Sequence, residues 1–434
     1  MAKRGGLGLK SGMGLVVANM IGAGVLISAG FMVQGLHAGP LLLAWVLGLA
    51  LALCGAKAYG TLAKSITRSG GEYRYLSDLF HPFVGSMAGW GSLLIGFSGP
   101  IAIDAVVIGW FAMTLGLPVE PTVVAAAVIV VLTMVHGLQW QTSTRTQNVL
   151  VGIKLLLVLG LVAVGLVYGA SSWPEWVPPN PPADGNTWGL ILENQFWIAF
   201  AFSGWNAVIY ASFEFEDPAR DVPRAMMLGC ALVGLIYLAV NWIFVANLTP
   251  ESAAVVFKYG SDGYVTLAHV LVEQLLGAGA AAWMSVLVII AMLSAMSAMM
   301  LVGPRVYAEM ADDGCLPGFL RAKEGKPPLV ATILQAVVAL VLVSTHTILE
   351  AVESSSSVLM LFTALAVAGV WVMKRGGVKV SFVSLAAATI YMGLVGWILW
   401  TGLDMKGNLK TAVLFGLMVV LAGGSTWLRR RRAA

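Results

Sequence analysis

Two stretches, Asn19-Met-Ile-Gly22-Ala-Gly24 and Phe200-Ala-Phe-Ser203-Gly204-Trp205-Asn206, interrupt otherwise apolar runs near their middles. The runs that hold them, 12–35 and 190–213, are long enough to cross the bilayer. A crossing of about 30 Å of hydrocarbon takes roughly 20 apolar residues of helix. Ten more runs meet the same test, at 40–63, 84–117, 122–139, 146–169, 225–248, 280–308, 328–345, 350–373, 379–402 and 410–427. The expectation is an all-α membrane protein of twelve transmembrane helices in one domain. Composition agrees: of 434 residues 59% are hydrophobic and 11% charged, and the mean hydropathy is +0.87. No soluble surface can be built from that mixture.

Orientation follows from the basic residues, which loops left in the cytoplasm retain. With the N-terminus inside, cytoplasmic segments and helix ends hold 21 of the 25, from Lys3, Arg4 and Lys10 to Arg429 and Arg432. Outer segments hold Lys258, Lys406 and Lys410, and Lys154 lies within a span. Both termini are therefore expected in the cytoplasm and the chain in the inner (plasma) membrane. The first run is too long and too glycine-rich for a signal peptide and is read as a retained helix. The net charge of +4 points to anionic inner-leaflet lipid rather than nucleic acid, because no basic stretch carries interleaved aromatics.

On this topology helix 1 runs inside to outside and helix 6 outside to inside. Their interruptions, about 180 residues apart, then fall at matching depths of oppositely oriented helices. An inverted repeat of helices 1–5 (12–170) and 6–10 (190–373), followed by two further helices (379–427), predicts that placement. Unwinding a helix at mid-depth frees N–H and C=O groups that hydrocarbon cannot satisfy but a polar ligand can. An amino acid zwitterion suits such a break. A half-helix N-terminus offers donors and partial positive charge to the carboxylate, and a half-helix C-terminus offers carbonyls to the ammonium. The alternative is that the glycines only let helices pack closely. Ser-Gly-Trp-Asn in helix 6 favours the ligand reading, because an amide and a bulky aromatic beside a small pair are unneeded for packing.

Two ionisable residues fall inside spans, Asp104 and Lys154, and such residues are functional candidates by default. Each has a second reading. Lys154 is roughly 13 Å of helix rise from the inner loop that holds Arg145, so it could snorkel to the interface. Asp104 could satisfy backbone freed by Pro100. Glu193, Glu214 and Glu216 sit near span ends and read as interfacial.

Enzyme and metal chemistry find no support. The five histidines stand apart in sequence, no His-Glu-x-x-His, Gly-x-Ser-x-Gly or Cys-x-x-Cys occurs, and Leu9 stands where a P-loop needs glycine. No cofactor and no metal are expected. Cys54, Cys230 and Cys315 do not share an outer face where a disulfide would persist.

Several motifs, in order and spacing, resemble the amino acid-polyamine-organocation (APC) superfamily of transporters, and within it the L-type amino acid transporters and their bacterial relatives. They are Gly22-Ala-Gly24, Arg68-Ser-Gly-Gly-Glu-Tyr73, Lys154, Phe-Ser-Gly-Trp-Asn206, Glu216-Asp-Pro-Ala-Arg220-Asp-Val-Pro-Arg224-Ala, and Arg305 followed by Ala311-Asp-Asp-Gly-Cys-Leu-Pro317. The resemblance covers residues 12 to about 325. It implies a 5+5 inverted-repeat (LeuT-type) fold plus two peripheral helices, with substrate between helices 1, 3, 6, 8 and 10. Carried over by position, Ile21, Ala23 and Gly24 around Gly22 would receive the carboxylate. Carbonyls of Phe200, Ala201 and Ser203 would receive the ammonium, with Phe200 as an aromatic lid and Trp205 and Asn206 beside them. Lys154, against helix 1 carbonyls and a hydroxyl of Ser294 or Ser297, would stand in for a sodium ion. Asp104 would be a specificity or proton site. Ala23 departs from the hydroxyl often found between the two glycines, and Tyr59-Gly-Thr-Leu-Ala from a usual glutamate.

The resulting expectation is a sodium-independent amino acid transporter, exchanger or proton-coupled, working by alternating access. Neutral substrates lead, with cationic amino acids or polyamines as the alternative, and a non-transporting receptor or a membrane enzyme behind them. The outer link at Leu115-Gly-Leu-Pro-Val-Glu120-Pro has no cysteine, so no disulfide-linked heavy subunit is expected. The oligomeric state is not legible.

Overall fold

The computed structural model describes residues 6–138, 140–170, 173, 176–178, 180–182, 185–249, 266–322, 327–405 and 409–433. Lys3, Arg4, Lys258 and Lys406 lie outside them, as does the side chain of Arg145.

The chain is all helical apart from one isolated parallel bridge between Leu7 and Phe215 among the described residues. In order the helices are α1 (Leu9–Met20), α2 (Ala23–Met32), α3 (Ala38–Ser65), α4 (Gly71–Leu79), α5 (Pro82–Gly91), α6 (Ser98–Thr114), α7 (Pro121–Leu138), α8 (Trp140–Tyr168) and α9 (Thr187–Glu193). They continue with α10 (Gln195–Phe202), α11 (Pro218–Asn247), α12 (Leu267–Leu276), α13 (Ala278–Asp312), α14 (Leu329–Thr345), α15 (Ile348–Arg375), α16 (Phe382–Met405) and α17 (Leu409–Ala433). A wide π turn, Ser92–Gly96, joins α5 to α6, and a tight 3-10 segment, Ala207–Glu214, follows α10.

Among the described residues nine helices are long and apolar enough to span a membrane, and the bent pair α1–α2 brings the number to ten. The chain is therefore a multi-pass helical membrane protein. The helices Pro121–Gly137 and Leu329–Thr345 are apolar but shorter, and these two decide whether the count reaches twelve. The apolar runs read from the sequence all coincide with helices, and differences concentrate where charge hides helix. α11 begins at Pro218, seven residues before the apolar run, because the Asp217 side chain caps it by accepting from Arg220 N and Pro218 fits the first turn. α4 and α12 fall outside the runs, α4 being short and polar and α12 apolar but only ten residues long.

Large apolar side chains face outward where lipid would lie: Leu156, Leu166, Trp283 and Trp400 are 73, 64, 70 and 77% exposed. Inside, one continuous apolar cluster runs through the bundle, and α1–α2 and α10 lie within it.

Both interrupted helices are broken as expected. α1 ends when Ile21 turns to ψ 95°, Gly22 is extended, and α2 restarts at Ala23 with a 40° bend. α10 ends when Ser203 turns to ψ 145° and Gly204 takes φ +99°, a left-handed conformation that glycine adopts without strain. The two helices run antiparallel. Leu7, before α1, exchanges backbone hydrogen bonds with Glu214 and Glu216, while Phe31 near the far end of α2 stacks on Trp197 near the start of α10, rings 4.3 Å apart. Between these ends the breaks touch: a Cβ on Gly204 would lie 2.8 Å from that of Asn19.

Candidate functional site

A broken helix inside a bilayer must have its freed backbone groups met by something other than water. Before the first break, at the C-terminal end of α1, the Lys154 ammonium from α8 donates to Ala18 O at 2.9 Å and to Ile21 O. Lys154 is fully buried, so the snorkelling reading does not hold. After it, at the N-terminal end of α2, Asp104 Oδ1 from α6 accepts from Ala23 N–H at 3.1 Å. That contact spans 81 positions, so the carboxylate serves α2 and not the backbone near Pro100. Opposite charges from two neighbouring helices thus face the two ends of one break.

The second break is held by neutral groups. Phe200 O accepts from Ser203 N at 3.0 Å and from Ser203 Oγ at 2.7 Å. The Tyr237 hydroxyl of α11 reaches Met20 O at 2.6 Å and Ala201 O at 3.0 Å, bridging both broken helices. Gly24 makes the contact possible: a Cβ there would lie 2.5 Å from Ala201 Cα.

Ile21, Gly22, Ala23 and Gly24 therefore gather with Lys154, Asp104, Phe200, Ala201 and Ser203. Other candidates go elsewhere. Ser297 hydrogen-bonds His136 of α7 at 2.8 Å rather than Lys154. Ser294 is buried one residue from Ala295, whose Cβ lies 3.3 Å from where a Cβ on Gly22 would sit. Trp205 packs edge-on against Tyr59 of α3, ring centroids 4.9 Å apart. Asn206 donates to Glu72 Oε1 at 2.5 Å.

Glu72 is the residue that sequence reasoning passed over. It is buried, and Tyr59 OH donates to it at 2.9 Å, Asn206 Nδ2 at 2.5 Å, and the Tyr210 hydroxyl donates to its other oxygen. Burial pushes its carboxyl above the usual carboxylate range, against the pull of those donors. It ties the start of α4 to the segment that follows the second break. α4 is also pinned to the end of α13: Arg74 pairs with Asp313 at 2.8 Å and Glu309 at 3.2 Å, and Tyr73 OH donates to Asp313 at 2.7 Å. Arg305 pairs with Glu214 at 2.6 Å, which accounts for one of the interfacial glutamates.

The two broken helices are also joined at both of their far ends. At one, Leu7 bridges to Phe215 and Arg305 pairs with Glu214. At the other, Phe31 stacks on Trp197, with Ser28 Oγ on Trp197 O at 3.2 Å and Ser356 Oγ on Phe196 O at 2.9 Å.

The sequence profile described as amino acid permease matches residues 7–426. The chain is 25% identical over 388 residues to the human large neutral amino acids transporter small subunit 2, covering 85% of this chain and 69% of that one. It is 28% identical over 333 residues to the mouse Asc-type amino acid transporter 1, covering 72% and 59%. With the mouse b(0,+)-type amino acid transporter 1 it shares 29% over 265 residues, covering 58% and 54%. The chain thus spans about two thirds or less of the length of most of these relatives.

Proposed function

We propose that this chain, which belongs to the amino acid permease family, carries amino acids across the membrane by alternating access without sodium, as an exchanger or with protons. The observation that carries the reading is the pair of antiparallel broken helices in contact at their breaks, with the Lys154 ammonium on the carbonyls of the first. Lys154 takes the part of a sodium ion there, tying α8 to the first broken helix while leaving the other faces of the breaks to a ligand. The zwitterion's carboxylate goes to the Ala23 and Gly24 N–H groups, its ammonium to the carbonyls near Phe200 and Ala201, and Phe200 covers it.

In the same reading the chain crosses the inner membrane twelve times, with both termini cytoplasmic. Residues 12–170 and 190–373 form the two inverted repeats, and 379–427 two peripheral helices. The human relative's name makes it a small subunit. The link between α6 and α7 here has no cysteine, so this chain takes no disulfide-bonded heavy subunit through it.

Neutral amino acids are the proposed substrates. A cationic reading rests on one observation: Asp104 Oδ2 is buried and without a hydrogen-bond partner among the described residues. Counterflow in proteoliposomes tests the proposal. Labelled neutral amino acid should accumulate against a preloaded unlabelled pool, equally well in sodium and in choline. Strict dependence on sodium would sink the ion-mimic reading, and stabilising binding without any accumulation would favour a receptor.

A further inference from the structure

We infer that the Asp104 carboxylate is a built-in stand-in for the substrate's carboxylate, which lets the empty carrier close and return, so that this protein carries out net transport rather than obligatory exchange. The inference rests on the proposed transport reading and on the geometry of the first break.

Asp104 Oδ1 lies 3.1 Å from Ala23 N, on the N-terminal end of α2. That N–H and its neighbours are the donors proposed for the carboxylate of a bound zwitterion. The second carboxylate oxygen has no hydrogen-bond partner among the described residues, and it lies 3.5 Å from where a Cβ on Gly22 would sit. It is therefore aimed into the break and not into its own helix. Asp104 as a residue is 1% exposed, so no water-filled route explains the charge.

Three carbonyls beside the breaks are met in the same way. Ile21 O takes the Lys154 ammonium, Ala201 O the Tyr237 hydroxyl, and Phe200 O the Ser203 hydroxyl. Gly24 packs on Ala201, so the two breaks meet backbone to backbone. A carrier whose freed helix N-terminus went unmet when empty would face the full cost of an unpaired buried donor on closing. It would therefore wait for substrate and run as a strict exchanger. A tethered carboxylate removes that barrier. On substrate arrival Asp104 must yield Ala23 N–H to the incoming carboxylate, a swap of one oxygen acceptor for another.

The test compares net efflux with exchange. Proteoliposomes loaded with labelled L-alanine, L-leucine or L-arginine are diluted into buffer with or without unlabelled amino acid outside. Wild-type protein should release label into amino-acid-free buffer at a rate within about tenfold of exchange. In Asp104→Ala the ratio of net efflux to exchange should fall at least about tenfold, the factor that one unmet buried donor carries. Asp104→Asn, whose amide oxygen can still accept from Ala23 N–H, should keep more of the ratio. Asp104→Leu, of similar volume and with no acceptor, replaces the alanine variant should that one not fold.

Wild-type release that needs external amino acid would overturn the inference, as would a loss of both rates in proportion. Selective loss of L-arginine flux would overturn it too, and would assign Asp104 to the substrate's side chain. Absence of counterflow with every amino acid would instead defeat the transport reading on which the inference stands.

Discussion

In the first broken helix the backbone groups freed at mid-depth are met by charge, the Lys154 ammonium on Ala18 O and Ile21 O and the Asp104 carboxylate on Ala23 N–H. In the second they are met by the neutral hydroxyls of Ser203 and Tyr237 and by a glycine with positive φ. A charge buried at this depth is costly unless paired, and removing one partner strands the other. A hydroxyl lost from a carbonyl leaves a smaller debt. The first break should therefore behave as a fixed frame whose charges matter to flux, and the second as the softer side that gives way as the cycle proceeds.

The largest effect should come from Lys154. Lys154→Met keeps the apolar stem but leaves Ala18 O and Ile21 O without their donor. Each buried acceptor left unmet costs about 1–3 kcal/mol. Counterflow should fall at least about tenfold, while the protein still elutes as a folded species, since most of the apolar core is untouched. An active, well-behaved Lys154→Met would erase the contrast between the two breaks.

Phe200→Ala probes the soft side. The side chain is 6% exposed and sits one residue before Ala201, against which Gly24 packs. A lid acts on occlusion more than on backbone contacts, so transport should fall by more than binding, read as a loss of rate larger than the loss of ligand-induced thermal shift. Wild-type exchange in this variant would remove Phe200 from the mechanism.

Gly204→Ala should be next. A left-handed conformation costs an L-residue about 1–2 kcal/mol, and here the new Cβ would also lie 2.8 Å from the Asn19 Cβ. Melting in detergent should drop by several degrees. Tyr237→Phe, which removes one hydroxyl shared by Met20 O and Ala201 O, should cost only about 1 kcal/mol. A loss larger than that of Gly204→Ala would mean that the bridge and not the glycine holds the breaks together.

Much of this was legible in the sequence because membrane helices announce themselves by run length, and a break announces itself by glycine and polar residues where hydrocarbon tolerates neither. Lys154 was visible as a charge in mid-span. What that charge and Asp104 touch was not, since their partners lie 133 and 81 positions away. The Glu72 cluster was hidden for a similar reason: Tyr59, Glu72, Asn206 and Tyr210 come from three parts of the chain, and each alone reads as a turn or packing residue. Tyr237 looks like any aromatic in an apolar run. His136, which reads as a solitary histidine, takes Ser297, one of the two hydroxyls considered for Lys154.

The smallest effect should be at the latch between α4 and the end of α13, where charge again holds two elements but at the rim of the bundle. Burial raises the Asp313 carboxyl, yet the Tyr73 hydroxyl and the Arg74 cation outweigh it and hold the group below the usual carboxylate range. A carboxyl depressed in the folded state stabilises above its ordinary pKa of about 3.9, and that contribution is lost only as pH falls through the lower folded value. The latch should therefore be indifferent to pH across the neutral and mildly acidic range. Cys315 reports on it directly, being buried with its sulfur 3.5 Å from the Tyr73 hydroxyl. In a background with Cys54→Ala and Cys230→Ala, thiol labelling of Cys315, normalised to a free cysteine peptide, should stay constant from about pH 8 to 5.5. Asp313→Asn should raise that labelling several-fold at neutral pH, as expected for losing a charge-assisted contact of about 1.5–3 kcal/mol shared among Tyr73, Arg74 and Arg68. Labelling of the unaltered latch that climbed steadily between those pH values would show that a different group, with Glu72 the first to examine, governs this contact.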